Sequence, residues 1–505
     1  MSPAEKLRER LLEFHALEKV AELLEWDQSV VMPRGGGQAR ASQFGAVKSA
    51  AHALLAGEDT GRLIDAAGRG VDAEADTDEA ALLRWARRER ERRRKQPPEL
   101  VAELARHTSL AQEIWAEARS KNDFSLFRPA LEKMVELKRR QAEAISRGGD
   151  LYDAWLEEFE PGMDVSEVSR ILADIEEGLV PLVREVSARR DAVDDAALSG
   201  AFDVSAQKTL CAEIARAMGF DFERGRLDVS AHPFTMNASR DDVRLTTRYQ
   251  EDRVLGSLFG AMHETGHGLY EQGIDPALEG TPLCAGATMA LHESQSRLWE
   301  NVVGRGRFFW KRWLPRFQEL FPKAAGVDLE TFYRAVNKAR PSLIRVEADE
   351  LTYSLHISLR FALERDLLAG RVTAAELPEA WNARMKNALG IVPPDDARGV
   401  LQDVHWSAGL FGYFPTYAIG NAISVQLWEA AASARPSLTR DIEEGRLTPL
   451  LDWLRTNVHR HGKKYSAQEV VRRATGRPID AAPYLRYLCA KYGELYGLTP
   501  KGSTA

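Results

Sequence analysis

The sequence predicts a mainly α-helical protein with one minor β element. Apolar residues recur at helical spacing along most of the 505 residues. Strand-like alternation is confined to one short stretch. The chain has no internal repeat, no low-complexity linker and no uncharged run near the roughly 18 apolar residues of a membrane span.

Residues 4–25 place Leu7, Leu11, Leu12, Phe14, Leu17, Val20 and Leu23 on one broad apolar face. Pro33 and the run Gly35-Gly36-Gly37 end that pattern, and a second helix is expected from about 39 to 55. Helices over 78–95 and 99–118 are divided by Pro97-Pro98, and the acidic stretch from Asp72 to Glu79 reads as a loop. Further helices fit 129–147, 165–190, 205–218, 250–271, 287–303, 343–369 and 377–388. The basic run from Arg87 to Lys95 interleaves Glu89 and Glu91. It reads as an ion-paired helix face more than as an anion-binding patch. Val243 to Tyr249 alternates and predicts a hairpin or edge strand ahead of the 250–271 helix. The expected organisation is one helical body over 1–505, with two lobes and no clear cut point.

Composition excludes several classes. At 44% hydrophobic and 28% charged, the chain is ordinary globular protein. A net charge of −7 leaves no footprint for nucleic acid or an anionic membrane. Cys211, Cys284 and Cys489 are odd in number and far apart, which fits a reducing compartment. Charges break up the first twenty residues, so no secretory signal is expected and the protein reads as cytoplasmic.

The strongest chemical signal is His263-Glu264-Thr265-Gly266-His267. Two histidines four apart leave the same helix face one turn from each other, so both can bind one cation. Glu264 projects beside them, placed to take a proton from water. Gly266 and Gly268 weaken the helix but let a substrate or a neighbouring helix come close. A catalytic zinc usually takes a third protein ligand from another element. Glu293 fits, 26 residues after His267 on the predicted 287–303 helix, with a turn-rich loop between. His292 points about 100° away from it and suits a supporting or substrate-facing place. Cys284 in the loop reads as a small buried residue. The alternative for the two histidines is a pair of hydrogen-bonded core residues.

Several ordered segments resemble the carboxypeptidase Taq family of metallocarboxypeptidases. They are Trp26-Asp27 with Met32-Pro33, His232-Pro233-Phe234, Asp242 to Thr246, the 263–267 motif, His292 to Arg297, Ile344 to Asp349, and Gly399 to Trp406. They span most of the chain, without departure at the motif positions. The resemblance implies a neurolysin-like helical fold with a deep groove between two lobes. It implies a homodimer that removes residues singly from peptide C-termini, with broad side-chain tolerance. It implies zinc, or cobalt in some members.

Such an enzyme must hold a terminal carboxylate, which suits the planar fork of an arginine. Arg345 is the first choice, read as opening the 343–369 helix with Asp349, Thr352 and His356 on its face; its alternative is an Arg345–Asp349 ion pair. Arg244 is the rival for this role, and His232 either lines the pocket or packs a turn. By resemblance, Tyr417 is the expected oxyanion donor, assisted by His405 and Tyr413, on a tight loop set by Gly409, Gly412 and Pro415. The alternative is that these rings are core aromatics. Glu300 and Asp403 are candidates for orienting the histidine ligands. Competing functions are an oligoendopeptidase on the same scaffold and a non-catalytic scaffold with a structural metal.

Overall fold

Several helix starts in this chain are chemically marked. Ser2 and Glu5 close a capping box, and Asp123, Asp164, Asp203, Thr288 and Ser466 each accept from a backbone N–H of the turn that follows. The computed structural model describes residues 1–146 and 148–498. These form twenty α-helices with short 3-10 and π segments, and one three-stranded sheet.

The expected helices near the N-terminus run Pro3–Val30, Gly37–Ala56, Asp78–Lys95 and Pro98–Lys121. The helix expected at 129–147 starts earlier, at Phe124, because Asp123 caps it; position 147 lies outside the described residues. The basic run is ion-paired, with Arg93 Nε 2.9 Å from Glu89 and Arg90 3.7 Å from Glu58. Burial works against the Glu89 charge, but Arg92 and Arg93 bring its pKa down to about 2.

Two expectations are corrected. The helix expected over 343–369 begins only at Tyr353. Arg345–Glu347 is a single 3-10 turn, and Ala348 is extended. The Asp349 carboxylate then accepts from the Thr352 and Arg340 backbone N–H groups, which shapes a turn in place of a first helical turn. The strand expected as a hairpin or edge does form a hairpin, but it lies at the centre of the sheet and not at its edge. Strand β1 (Gly225–Val229) pairs parallel with β3 (Asp242–Thr247), and β2 (Thr235–Ser239) pairs antiparallel on its other side. Strand β1 lacks clean alternation, and its parallel pairing is set by residues far from it in sequence.

The described chain divides into two compact units. One comprises Met1–Arg94, Ala196–Val336 and Leu427–Pro478. The other comprises Lys95–Asp195, Asn337–Gln426 and the segment from Ile479. Each unit is assembled from three separate stretches, so no linker marks a boundary.

In the first unit, helix α1 (Val254–Gln272) packs on β3 and against helix α2 (Met289–Arg297). Two glycines permit this. A Cβ on Gly268 would sit 2.7 Å from the Leu245 side chain of β3. A Cβ on Gly266 would sit 2.7 Å from the Gln295 carbonyl and the Ser296 Cα of α2. Backbone meets backbone at Gly266, so α1 and α2 approach closely beside His263, His267 and Glu293.

Candidate active site

Helix α1 presents His263, Glu264 and His267; α2 presents Glu293. The His263 and His267 Nε2 atoms are 3.2 Å apart, and each is 3.5 or 3.4 Å from Glu293 Oε2. Tetrahedral ligands at about 2.05 Å from one ion stand about 3.3 Å from each other. The three donors therefore fit a small divalent cation, and two imidazoles with one carboxylate is a set that catalytic zinc takes.

Supporting contacts aim these donors. His263 Nδ1 lies 2.9 Å from Glu300 Oε2, on the π segment Leu298–Val303 that continues α2. A π segment inside a helix often marks a functional place. Arg297 Nε donates to Glu293 Oε1 at 2.7 Å, which leaves Oε2 facing the imidazoles. His267 Nδ1 meets His292 Nδ1, and His292 Nε2 lies 2.6 Å from Glu271 Oε1. Burial pulls the His263 pKa down, but Glu293 and Glu300 outweigh it and the net shift is upward. Burial lowers His267 to about 3. Burial also opposes the charge on Glu293, yet Arg297 and the imidazoles hold its carboxyl well below the usual range.

Glu264 behaves oppositely. Burial pushes its carboxyl above the usual range, against the pull of His263 and of the Thr235 hydroxyl, which donates to Oε2 at 2.7 Å. Strand β2 thus holds the carboxylate beside the donor triad. The two neighbouring glutamates are thus pushed apart in pKa, Glu293 down and Glu264 up.

The second unit gathers Arg345, Asp403, His405, Tyr413 and Tyr417. Arg345 does not pair along a helix face with Asp349. Its Nε and Nη2 donate to Asp403 Oδ1 at 3.0 and 2.9 Å, and its Nη1 donates to the Tyr353 hydroxyl at 2.9 Å. That uses three of five N–H groups and leaves one on each terminal nitrogen. Asp403, considered from sequence as a partner for the histidine ligands, instead bridges Arg345 and Arg360. Burial disfavours its charge, but the two guanidinium groups hold its carboxyl far below the usual range.

His405 Nε2 lies 3.4 Å from the Tyr417 hydroxyl, and burial lowers the His405 pKa to about 3. Tyr413 packs edge-on to Tyr417 and to Phe159. Gly409 and Gly412 have positive φ and make the expected tight loop. Tyr417 itself sits in the first turn of helix Pro415–Ala434 and not in that loop. This helix is buried on nearly all sides, so it has no amphipathic period to read.

The family of the carboxypeptidase Taq (M32) metallopeptidases matches residues 6–492. The chain belongs to that family. It is 40% identical to thermostable carboxypeptidase 1 of Thermus thermophilus, over 98% of this chain and all of the relative. It is 39% identical to carboxypeptidase 1 of Bacillus subtilis, over 95% and 96%. The crystal structure of an M32 carboxypeptidase from Deinococcus radiodurans R1 superposes with a TM-score of 0.95 at 40% identity, covering 98% of this chain and 99% of that one. The protein is accordingly a metal-dependent peptide hydrolase with the helical M32 fold.

Two further sequence candidates belong to the first unit. Arg244 on β3 is paired with Asp242 through two 2.8 Å contacts and stacks on Trp26. His232 is exposed, and its carbonyl accepts from Ser230. Cys284 is buried, 3.5 Å from Glu279.

Sequence reasoning missed Glu271, Thr235, Arg297, Arg360 and Glu364. Glu271 left a trace, because it follows His267 by four residues on the same helix face. Thr235 left none, since only the strand register places it beside Glu264.

Proposed function

We propose that this protein is a zinc carboxypeptidase that removes residues one at a time from the C-termini of peptides, with broad side-chain tolerance. The observation that carries the reading is the convergence of His263 Nε2, His267 Nε2 and Glu293 Oε2 at tetrahedral ligand spacing, with Glu264 alongside. Cobalt suits the same donor set. A bound ion supplies Lewis acidity toward water and the scissile carbonyl.

The chain's own residues do the rest. Glu264 takes a proton from the attacking water and delivers it to the leaving amine, a role its raised pKa supports. Tyr417 donates to the tetrahedral oxyanion, with His405 and Tyr413 assisting. Arg345 holds the terminal carboxylate through the N–H groups left on its two terminal nitrogens. Asp403 keeps that guanidinium oriented and charged. Arg244, committed to Asp242 and Trp26, is the weaker choice for this role.

Cysteines that form no disulfide support a reducing, cytoplasmic setting, and no described helix is long and apolar enough to cross a membrane. The homodimer belongs to this reading by resemblance, and sedimentation tests it.

A test peptide digested with and without chelator checks class and direction together. A C-terminal ladder that disappears with chelator and returns with zinc is expected. An amidated C-terminus should lose most of the activity; equal cleavage of the amide would move the reading to an oligoendopeptidase. Glu264→Gln should retain metal and lose turnover, and retained hydrolysis would remove Glu264 from the acid–base role.

A further inference from the structure

The two histidine donors are supported differently. His263 Nδ1 meets a carboxylate directly, that of Glu300, which also receives Arg297 Nη1 at 3.2 Å. His267 Nδ1 meets another imidazole, His292, and the carboxylate of Glu271 lies one ring further on.

The polarity of this chain is determined at its far end. The Glu271 carboxylate is surrounded by donors. Oε2 receives Asn237 Nδ2, and Oε1 receives the Gly286 backbone N–H at 3.2 Å together with His292 Nε2. Lys19 Nζ, from the first helix, holds Asn237 Oδ1 at 2.6 Å and so turns the Asn237 amide nitrogen toward Glu271. An ionised carboxylate accepts only, so His292 carries its proton on Nε2. In a neutral His292 ring Nδ1 is then an acceptor, and His267 donates to it from Nδ1. The His267 lone pair is left on Nε2, facing Glu293 and His263. The opposite polarity would place two acceptors face to face.

The His292 ring is also walled in. A Cβ on Gly286 would lie 2.4 Å from it, and the Tyr270 ring packs at 5.1 Å with its hydroxyl on the Ala287 N–H. Nothing in this wall needs a histidine, so its two nitrogens account for the residue.

We propose that Glu271 and His292 are a positioning pair that fixes the tautomer and orientation of His267, and through it sets metal affinity. This rests on the reading that His263, His267 and Glu293 hold the ion. Support of this kind typically changes metal affinity by about 10–100-fold.

The test measures zinc affinity of the full chain, stripped with chelator and titrated against a chromogenic competitor. His263→Ala and Glu293→Ala come first; unchanged binding in these would overturn the metal-site reading itself. With that reading secure, His292→Phe should weaken zinc binding about 10–100-fold. Glu271→Gln should weaken it less, because one oxygen remains to accept from His292. The double variant should bind no more weakly than His292→Phe alone, since Glu271 acts only through His292. His292→Asn keeps an acceptor near the Nδ1 position and should recover part of the affinity, with no further loss on adding Glu271→Gln. Glu300→Gln lies on the other branch, and its loss should multiply with that of His292→Phe. Unchanged affinity in His292→Phe, or multiplied losses in the Glu271 and His292 double variant, would overturn the positioning role. Thermal unfolding of the stripped proteins verifies that each variant is folded.

Discussion

At the scale of single residues, the second-unit cluster carries the sharpest expectation. Tyr417 is half-buried, with its hydroxyl near His405 and its ring under the Arg345 guanidinium at 5.1 Å. A hydroxyl aimed at developing charge contributes mainly in the transition state. Tyr417→Phe should therefore lower kcat by about 10²–10³-fold with little change in KM. A rise in KM at constant kcat would instead make Tyr417 a substrate-binding group.

Elements position these residues, and Glu364 shows how. It is fully buried on the helix Tyr353–Ala369. Its carboxylate accepts from Tyr152 at 2.6 Å, from Trp406 at 2.9 Å and from the Gly412 backbone N–H at 3.0 Å. It thereby ties down both ends of the loop between His405 and Tyr413. Gly412 has φ +84, and a Cβ there would strike the Trp155 backbone at 2.8 Å, so the loop is seated closely. Burial raises the Glu364 pKa to about 7, against the pull of its three donors. The folded protein thus holds this proton more tightly than the unfolded chain. The resulting stability is complete below about pH 4.5 and is lost as pH rises through about 7. Glu364→Gln cannot titrate, so the stability gap between wild type and variant should change by about 3 kcal/mol over that window, in favour of the variant at high pH. Unfolding midpoints at pH 4.5 and 8 measure it, and a gap independent of pH would refute the shift.

For the whole molecule, the proposed metal donors and their supports all belong to one unit. An ion that binds the folded state stabilises it by mass action, by about 4 kcal/mol at a thousand times Kd. Adding zinc to stripped protein should raise its thermal midpoint. Hydrogen exchange should slow most in residues 254–303, which hold the donors and their carboxylate partners. Equal slowing throughout 345–417 would show that the second unit shares the metal's stabilisation.

Local pattern determined much of this protein. Helical class, most early helix limits and the His263–His267 pair were legible because each is written in spacing of three to four residues. Spacing on the next predicted helix extended that reading to Glu293, and the family segments extended it to Arg345. What needed tertiary structure was every pairing across long sequence separation. Strand β3 became central because β1 and β2 flank it. Thr235 came to Glu264 through sheet register, Asp403 to Arg345 and Arg360 through packing, and Glu271 to His292 through the close approach that Gly266 allows. A side chain's type and its place on its own helix follow from neighbours in sequence. The partner that orients it depends on which backbone comes close, and only the folded chain decides that.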